Sequence, residues 1–129
     1  MPGLSDEELG KYIEEVIQST KDGLIKWEPA NPTTYVWDKA GPPSVRLTLQ
    51  LVMRTRTSIE ENRRVVKNLP YYILNVYEFE DTGRLNLREG IDGSEREALD
   101  KSLGGLFNLI RDERIQKDRE FLRGTLPRR

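Results

Sequence analysis

The sequence predicts an α+β domain: an antiparallel sheet of about four strands with an N-terminal and a C-terminal helix packed on one face, in the order α-β-β-β-β-α. Three observations lead there. Apolar residues recur at helical spacing near both ends, at Leu9, Tyr12, Ile13, Val16 and Ile17 and again at Leu99, Leu103, Leu106, Phe107 and Ile110. Between them Val45, Leu47, Leu49, Leu51 and Met53 alternate with Arg46, Thr48 and Gln50, the period of a strand with one covered face. A chain of 129 residues folds to roughly 7,000 Å² of surface from about 22,000 Å² unfolded, enough for one core, so residues 1–129 read as a single domain.

The first helix spans 5–21. Ser5 is a good N-cap, Glu8 stands three residues on, and Asp6, Glu7 and Glu8 put negative charge where exposed amides favour it. Gly23 stops it. Pro29 and Pro32 then forbid a helix or a central strand, so 24–32 is a bend fixed by Trp27, followed by a strand at 33–38. Gly41-Pro42-Pro43 turns the chain into the longest strand, 44–55. Residues 56–70 read as an insertion, either one helical turn opened by Ser58 or a flexible hairpin loop, ended by Pro70.

Tyr71 to Phe79 is apolar on both faces, as a central strand is, and Asp81-Thr82-Gly83 turns it into Arg84-Leu85-Asn86-Leu87-Arg88, a hairpin over 72–88. Asp92 or Ser94 caps the closing helix. Gly104-Gly105 inside that helix implies a kink or a close approach to the sheet. Beyond Ile110 a charged tail, 111–129, keeps only Ile115, Phe121 and Leu122 as an apolar remnant, which a second subunit would cover.

The chain contains no cysteine and no histidine. That removes disulfides, thiolate catalysis, Cys/His zinc sites and histidine general bases. Ser102 and Lys101 are helix neighbours and do not face each other, and the glycine clusters match no phosphate loop or dinucleotide fingerprint. The composition therefore leans away from an enzyme, and no cofactor is expected. The acidic first eight residues lack a secretory signal and no apolar run is long enough to cross a bilayer, so a cytoplasmic protein without membrane contact is the default.

Net charge is −1, yet it is a sum of blocks. Residues 1–40 carry four basic and eight acidic groups, 41–70 six and two, 71–100 three and eight, and 101–129 eight and four. Such blocks pair within one fold or leave a polarised surface.

Several candidate sites follow. The open sheet face would carry Arg46, Arg84 and Arg88 beside Tyr71, Tyr77 and Phe79. Arginine and tyrosine are favoured at protein interfaces, and the leading expectation is a non-enzymatic interaction or accessory domain whose partner is a protein, itself included as a homodimer. A rival reading is a nucleic-acid binder using Arg54, Arg56, Arg63, Arg64 and Lys67. A third is a metal-dependent hydrolase, since Glu78 and Glu80 share one side of a strand and could hold a hard cation. Trp27 and Trp37, separated by prolines, could line a peptide groove, but they read better as structural plugs.

The segment Glu14-Glu15-Val16-Ile17-Gln18-Ser19-Thr20-Lys21-Asp22-Gly23-Leu24-Ile25-Lys26-Trp27 resembles the opening of a loosely defined group of small bacterial and phage proteins. In these, a helix ends in Thr-Lys-x-Gly, an aliphatic-x-Trp follows, and a hairpin sheet comes next. Tyr72 to Glu78 is similar to their central strand and Ser94 to Ile110 to their closing helix. The resemblance implies an α+β fold and transfers no activity or site residues. The insertion at 56–70 departs from their compact pattern.

Overall fold

A computed structural model describes residues 3–127; Met1, Pro2, Arg128 and Arg129 lie outside the described residues. The architecture is α-β-β-β-β-β-α: α1 (Asp6–Lys21), β1 (Glu28–Asn31), β2 (Thr34–Lys39), β3 (Val45–Glu60), β4 (Arg63–Phe79), β5 (Leu85–Asp92) and α2 (Glu97–Gly124). The strands form one antiparallel sheet in the order β1-β2-β3-β4-β5.

The fifth strand is β1, in the stretch read from the sequence as a bend. It has only four residues and lies at the sheet edge. Pro29 is tolerated there because an edge strand need not donate on both sides.

α1 begins as its sequence dictates: the Ser5 hydroxyl accepts the Glu8 N–H at 3.2 Å, satisfying one of the first-turn amides. Leu9, Ile13 and Val16 point from it into the core. Its last turn is tied to the sheet by a buried relay. The Thr20 hydroxyl donates to the Val16 carbonyl at 2.8 Å, and the Trp27 indole N–H donates to Thr20 Oγ1 at 3.0 Å. Both residues are buried, so every polar atom of the relay has a partner in a place water does not reach.

One core joins α1, α2 and a single face of the sheet. Register fixes which strand residues belong to it. Leu47 opposes Val76, Leu49 opposes Leu74, and Leu74 opposes Ile91, so these lie on the helix side with Tyr35 and Trp37 of β2. Phe107 of α2 sits between Tyr35 and Tyr72, with ring centroids 5.1 and 5.2 Å away.

α2 starts at Glu97, three residues after Ser94, with no side-chain cap at Arg96. Asp92 serves the preceding turn instead, its carboxylate accepting from the Ser94 N–H and hydroxyl at 2.9 and 2.7 Å. Gly104 makes the close approach that the glycine pair implied: a Cβ there would lie 2.9 Å from the Tyr72 ring. The helix runs through both glycines unbroken. The first turn of α2 also closes the sheet where β5 departs. Asp100 Oδ1 accepts the Tyr72 backbone N–H at 3.0 Å, and the Gly93 N–H donates to the Tyr72 carbonyl at 2.8 Å.

The expected insertion at 56–70 is instead the far half of one long hairpin. β3 and β4 stay in register from Val45–Glu78 to Glu60–Arg63. The turn is the two-residue Glu61-Asn62, both at positive φ (50° and 62°), the type I′ geometry that matches strand twist. Thr55, Thr57, Ile59, Val65 and Val66 are β-branched and support strand geometry without a core beneath them. β2 pairing ends at Gln50 and β5 pairing at Ile73. Beyond them a two-stranded arm extends about 27 Å into solvent.

The charged tail is helical to Gly124. Arg114 reaches Glu28 of β1 at 3.8 Å. Phe121, eleven residues and three turns after the buried Ile110, continues the core stripe into solvent at 72% exposure. Arm and helix overhang together explain an accessible surface of 9716 Å², well above the roughly 7,000 Å² of a compact chain of this size.

Two outcomes test this description. Thr20→Val leaves the Trp27 indole N–H buried without an acceptor and lowers stability by about 1–3 kcal/mol in urea denaturation. Replacing Glu61-Asn62 by Asn-Gly removes the strain of a glutamate at positive φ and slows hydrogen exchange of the arm amides several-fold.

Candidate functional site

The face of the sheet away from the helices is uncovered. β4 places Tyr71, Ile73, Tyr77 and Phe79 there, because Leu74 and Val76 are committed to the core by register. β3 adds Val52 opposite Tyr71, and β2 adds Val36 opposite Thr48. A polar band, Thr48 with Asn75 opposite it and Gln50 beside them, separates two apolar ends.

β5 enlarges the far end in a way its alternation does not announce. Leu85 opposes Phe79 and Leu87 opposes Tyr77, so both leucines stand on the open face, Leu87 at 54% exposure. Arg88 is then skipped: Val76 opposes Glu89 and Leu74 opposes Ile91. This one-residue bulge moves the odd-numbered positions from one face to the other, which lets Ile91 enter the core.

The expected arrangement of arginines is therefore corrected in part. Arg84 sits in the turn before β5, its carbonyl accepting from the Glu80 N–H at 2.8 Å. Arg88 occupies the bulge and reaches Glu78 at 3.9 Å. Neither joins Tyr71, Tyr77 and Phe79. Arg46 does. It opposes Tyr77, lies 5.3 Å from the Phe79 ring centroid, and clasps Asp38 through two bonds of 2.7 and 2.9 Å.

That clasp holds the Asp38 carboxyl below its ordinary value, chiefly through the hydrogen bond from Arg46. Burial opposes the shift and the neighbouring positive charge adds to it. Arg46 is raised by the same bond. The open face thus carries a charge that is already answered within the face.

Glu78 and Glu80, the carboxylates considered for a metal, flank an open cleft of about 750 Å³ between the β2–β3 and β4–β5 turns. Glu78 faces Arg88, while Glu80 lies just past the strand and belongs to the turn. Among the described residues no group of three or more Asp, Glu, His or Cys is gathered around a common point. Trp27 is buried, donates to Thr20, and borders a small cavity of about 180 Å³ with Ile110 and Arg114. No helix among the described residues is long and apolar enough to cross a membrane.

The five basic residues of the rival reading all fall on the arm. Arg54, Arg56, Arg63 and Lys67 lie on its open-face side, and Arg64 lies on the other, opposite Ile59. Arg54 reaches Asp92 at 3.3 Å and Arg56 reaches Glu97 at 3.3 Å, bracing the arm against the start of α2.

No protein-family model, curated protein or solved structure matches the chain.

The Asp38–Arg46 clasp gives a pH test. A depressed folded-state value contributes stability above the unfolded carboxyl range, and that contribution disappears as pH falls through the lower folded value. Both side chains are about a third to a half exposed (49% and 34%), so the contribution at pH 7 is about 0.5 kcal/mol. Asp38→Asn is expected to be less stable than the parent by that amount at neutral pH. The gap narrows in urea melts once pH falls below about 4.

Proposed function

We propose that this is an interaction domain that works by protein contact and self-associates through the open face of its sheet. One observation carries the reading: the face is uncovered, apolar at both ends and electrically answered within itself. A two-fold interface sets one surface against a copy of itself, so an unpaired charge near the axis would meet its own copy and one elsewhere would be buried without a partner of opposite sign. Here Arg46 is clasped by Asp38 and Asp92 is bridged to Arg54, while the aromatic and aliphatic ends remain. Such a surface suits a second copy better than a charged ligand.

The size agrees with a modest interface. From Tyr71 to Phe79 across three strands the face, its polar band included, covers roughly 400 Å². Side chains of the rim would have to complete the approximately 800 Å² per partner of a standard contact. A concentration-dependent dimer is the expected state, not an obligate one. A cytoplasmic location is part of the same reading, and the cysteine-free composition is compatible with it.

Light scattering coupled to size exclusion tests it. The parent chain is expected to shift toward twice its monomer mass with rising concentration. Leu87→Asp, at a position already half exposed, is expected to weaken that association at least tenfold without lowering the melting temperature. A parent that stays strictly monomeric up to about 100 μM, where contacts worth only 5–6 kcal/mol would already show, overturns the proposal.

A further inference from the structure

The arm beyond the Val52–Tyr71 pair projects past the self-association face just described and touches it at its base, where Arg54 bridges Asp92. It also breaks two rules of a stable sheet. A two-stranded ribbon without a third strand or a helix beneath it is marginal in water. This one leaves Ile59 81% and Val66 57% exposed. Moreover Arg56 and Lys67 stand directly opposite each other in register, where like charges repel across roughly 5 Å between Cβ atoms. Arg54 precedes Arg56 on the same side by two residues, and Arg63 follows toward the tip. The ion pairs that offset this repulsion, Arg56 with Glu97 and Lys67 with Glu60, join side chains that are all more than half exposed, so they are weak. The arm holds five basic residues and two acidic ones, Glu60 and Glu61.

A local conflict of this kind, kept on a projecting element, marks a surface completed by something else. We propose that the β3–β4 arm binds the phosphate backbone of a B-form DNA duplex, entering the major groove with its Arg56–Lys67 side toward the strands. The ribbon's dimensions suit this occupant. Two strands about 4.8 Å apart with their side chains fit a major groove about 12 Å wide, which admits a two-stranded ribbon. Cations two residues apart along a strand recur at about 6.7 Å, so neighbouring cations can reach successive phosphates. An anionic strand laid along the arm would also relieve the Arg56–Lys67 repulsion that the folded chain tolerates alone. Base-specific readout is not part of the proposal. Binding is by charge and shape.

The test is fluorescence anisotropy of a labelled random-sequence 20-base-pair DNA, with anionic phosphatidylserine vesicles as a second probe. Three phosphate contacts, from Arg56, Arg63 and Lys67, give a log–log salt slope near −2.7, a loss of about 40-fold in affinity between 50 and 200 mM salt. Lys67→Thr removes one contact and is expected to flatten the slope by about 0.9. It also removes a like-charge pair and adds a strand former, so it should melt no lower than the parent. Weaker binding therefore cannot be blamed on unfolding. Replacing 56–67 by Asn-Gly, which closes the hairpin at the Thr55–Asn68 pair and spares the core, is expected to abolish salt-dependent binding. Leu87→Asp should leave the slope unchanged, so failure of this proposal and failure of the self-association proposal are told apart. Absence of binding at 25 mM salt, a slope unaltered in both arm variants, or binding to vesicles but not to duplex each overturns it.

Discussion

The pairing of β3 with β4 continues without a break in register from Val45–Glu78 to Glu60–Arg63, and the rest of the molecule is arranged by it. In its first half this ladder is the centre of a five-stranded sheet, with β2 on one side and β5 on the other. Because side chains alternate strictly along paired strands, that register assigns every residue of the centre to a face. Leu47, Leu49, Leu74 and Val76 go under the helices, and Tyr71, Ile73, Tyr77 and Phe79 go to the opposite side. In its second half the same ladder outruns its neighbours and becomes the arm. Core, open face and arm are thus three consequences of one continuous hairpin.

The helices answer only part of that ladder. α1 is held by its Ser5 cap and by the Thr20–Trp27 relay at its far end. α2 is held where β5 leaves β4, through Asp100 and Gly104 against Tyr72. Beyond Ile110 the helix leaves the body, with Phe121 still on its core-facing stripe. The molecule therefore exposes a sheet without a helix at one end and a helix without a sheet at another. Its surface exceeds that of a compact chain of its length for this reason, and the open places are where physical arguments for binding gather.

The two proposed surfaces differ in kind. The open face has its charge neutralised internally and its apolar groups grouped at two ends, a combination that suits a copy of itself. The arm has opposed like charges and little apolar support, a combination that suits a polyanion. The two meet at the base of the arm, where Arg54 pairs with Asp92, and diverge from there, the face over the core and the arm into solvent.

The helices, the α+β class, the antiparallel sheet and the central position of Tyr71–Phe79 were legible in the sequence, because caps, prolines and apolar periodicity act over a few residues. Arg46, Tyr71, Tyr77 and Phe79 could be placed on one face by the same parity. Three features were not legible. The arm carries strand-favouring residues with no apolar alternation, since no core lies beneath it, and so 56–70 reads as a loop. The Arg88 bulge reverses the parity of β5, which moves Leu85 and Leu87 to the open face and takes Arg84 and Arg88 away from the aromatic cluster. β1 is too short, and too rich in proline, to be seen before its partner is known. In each case the deciding factor is a cross-strand hydrogen-bond register, which the periodicity of one strand read alone does not contain. The chain by itself determined what each segment can form. Only the tertiary pairing decided which way the side chains point and how far the hairpin runs past its core.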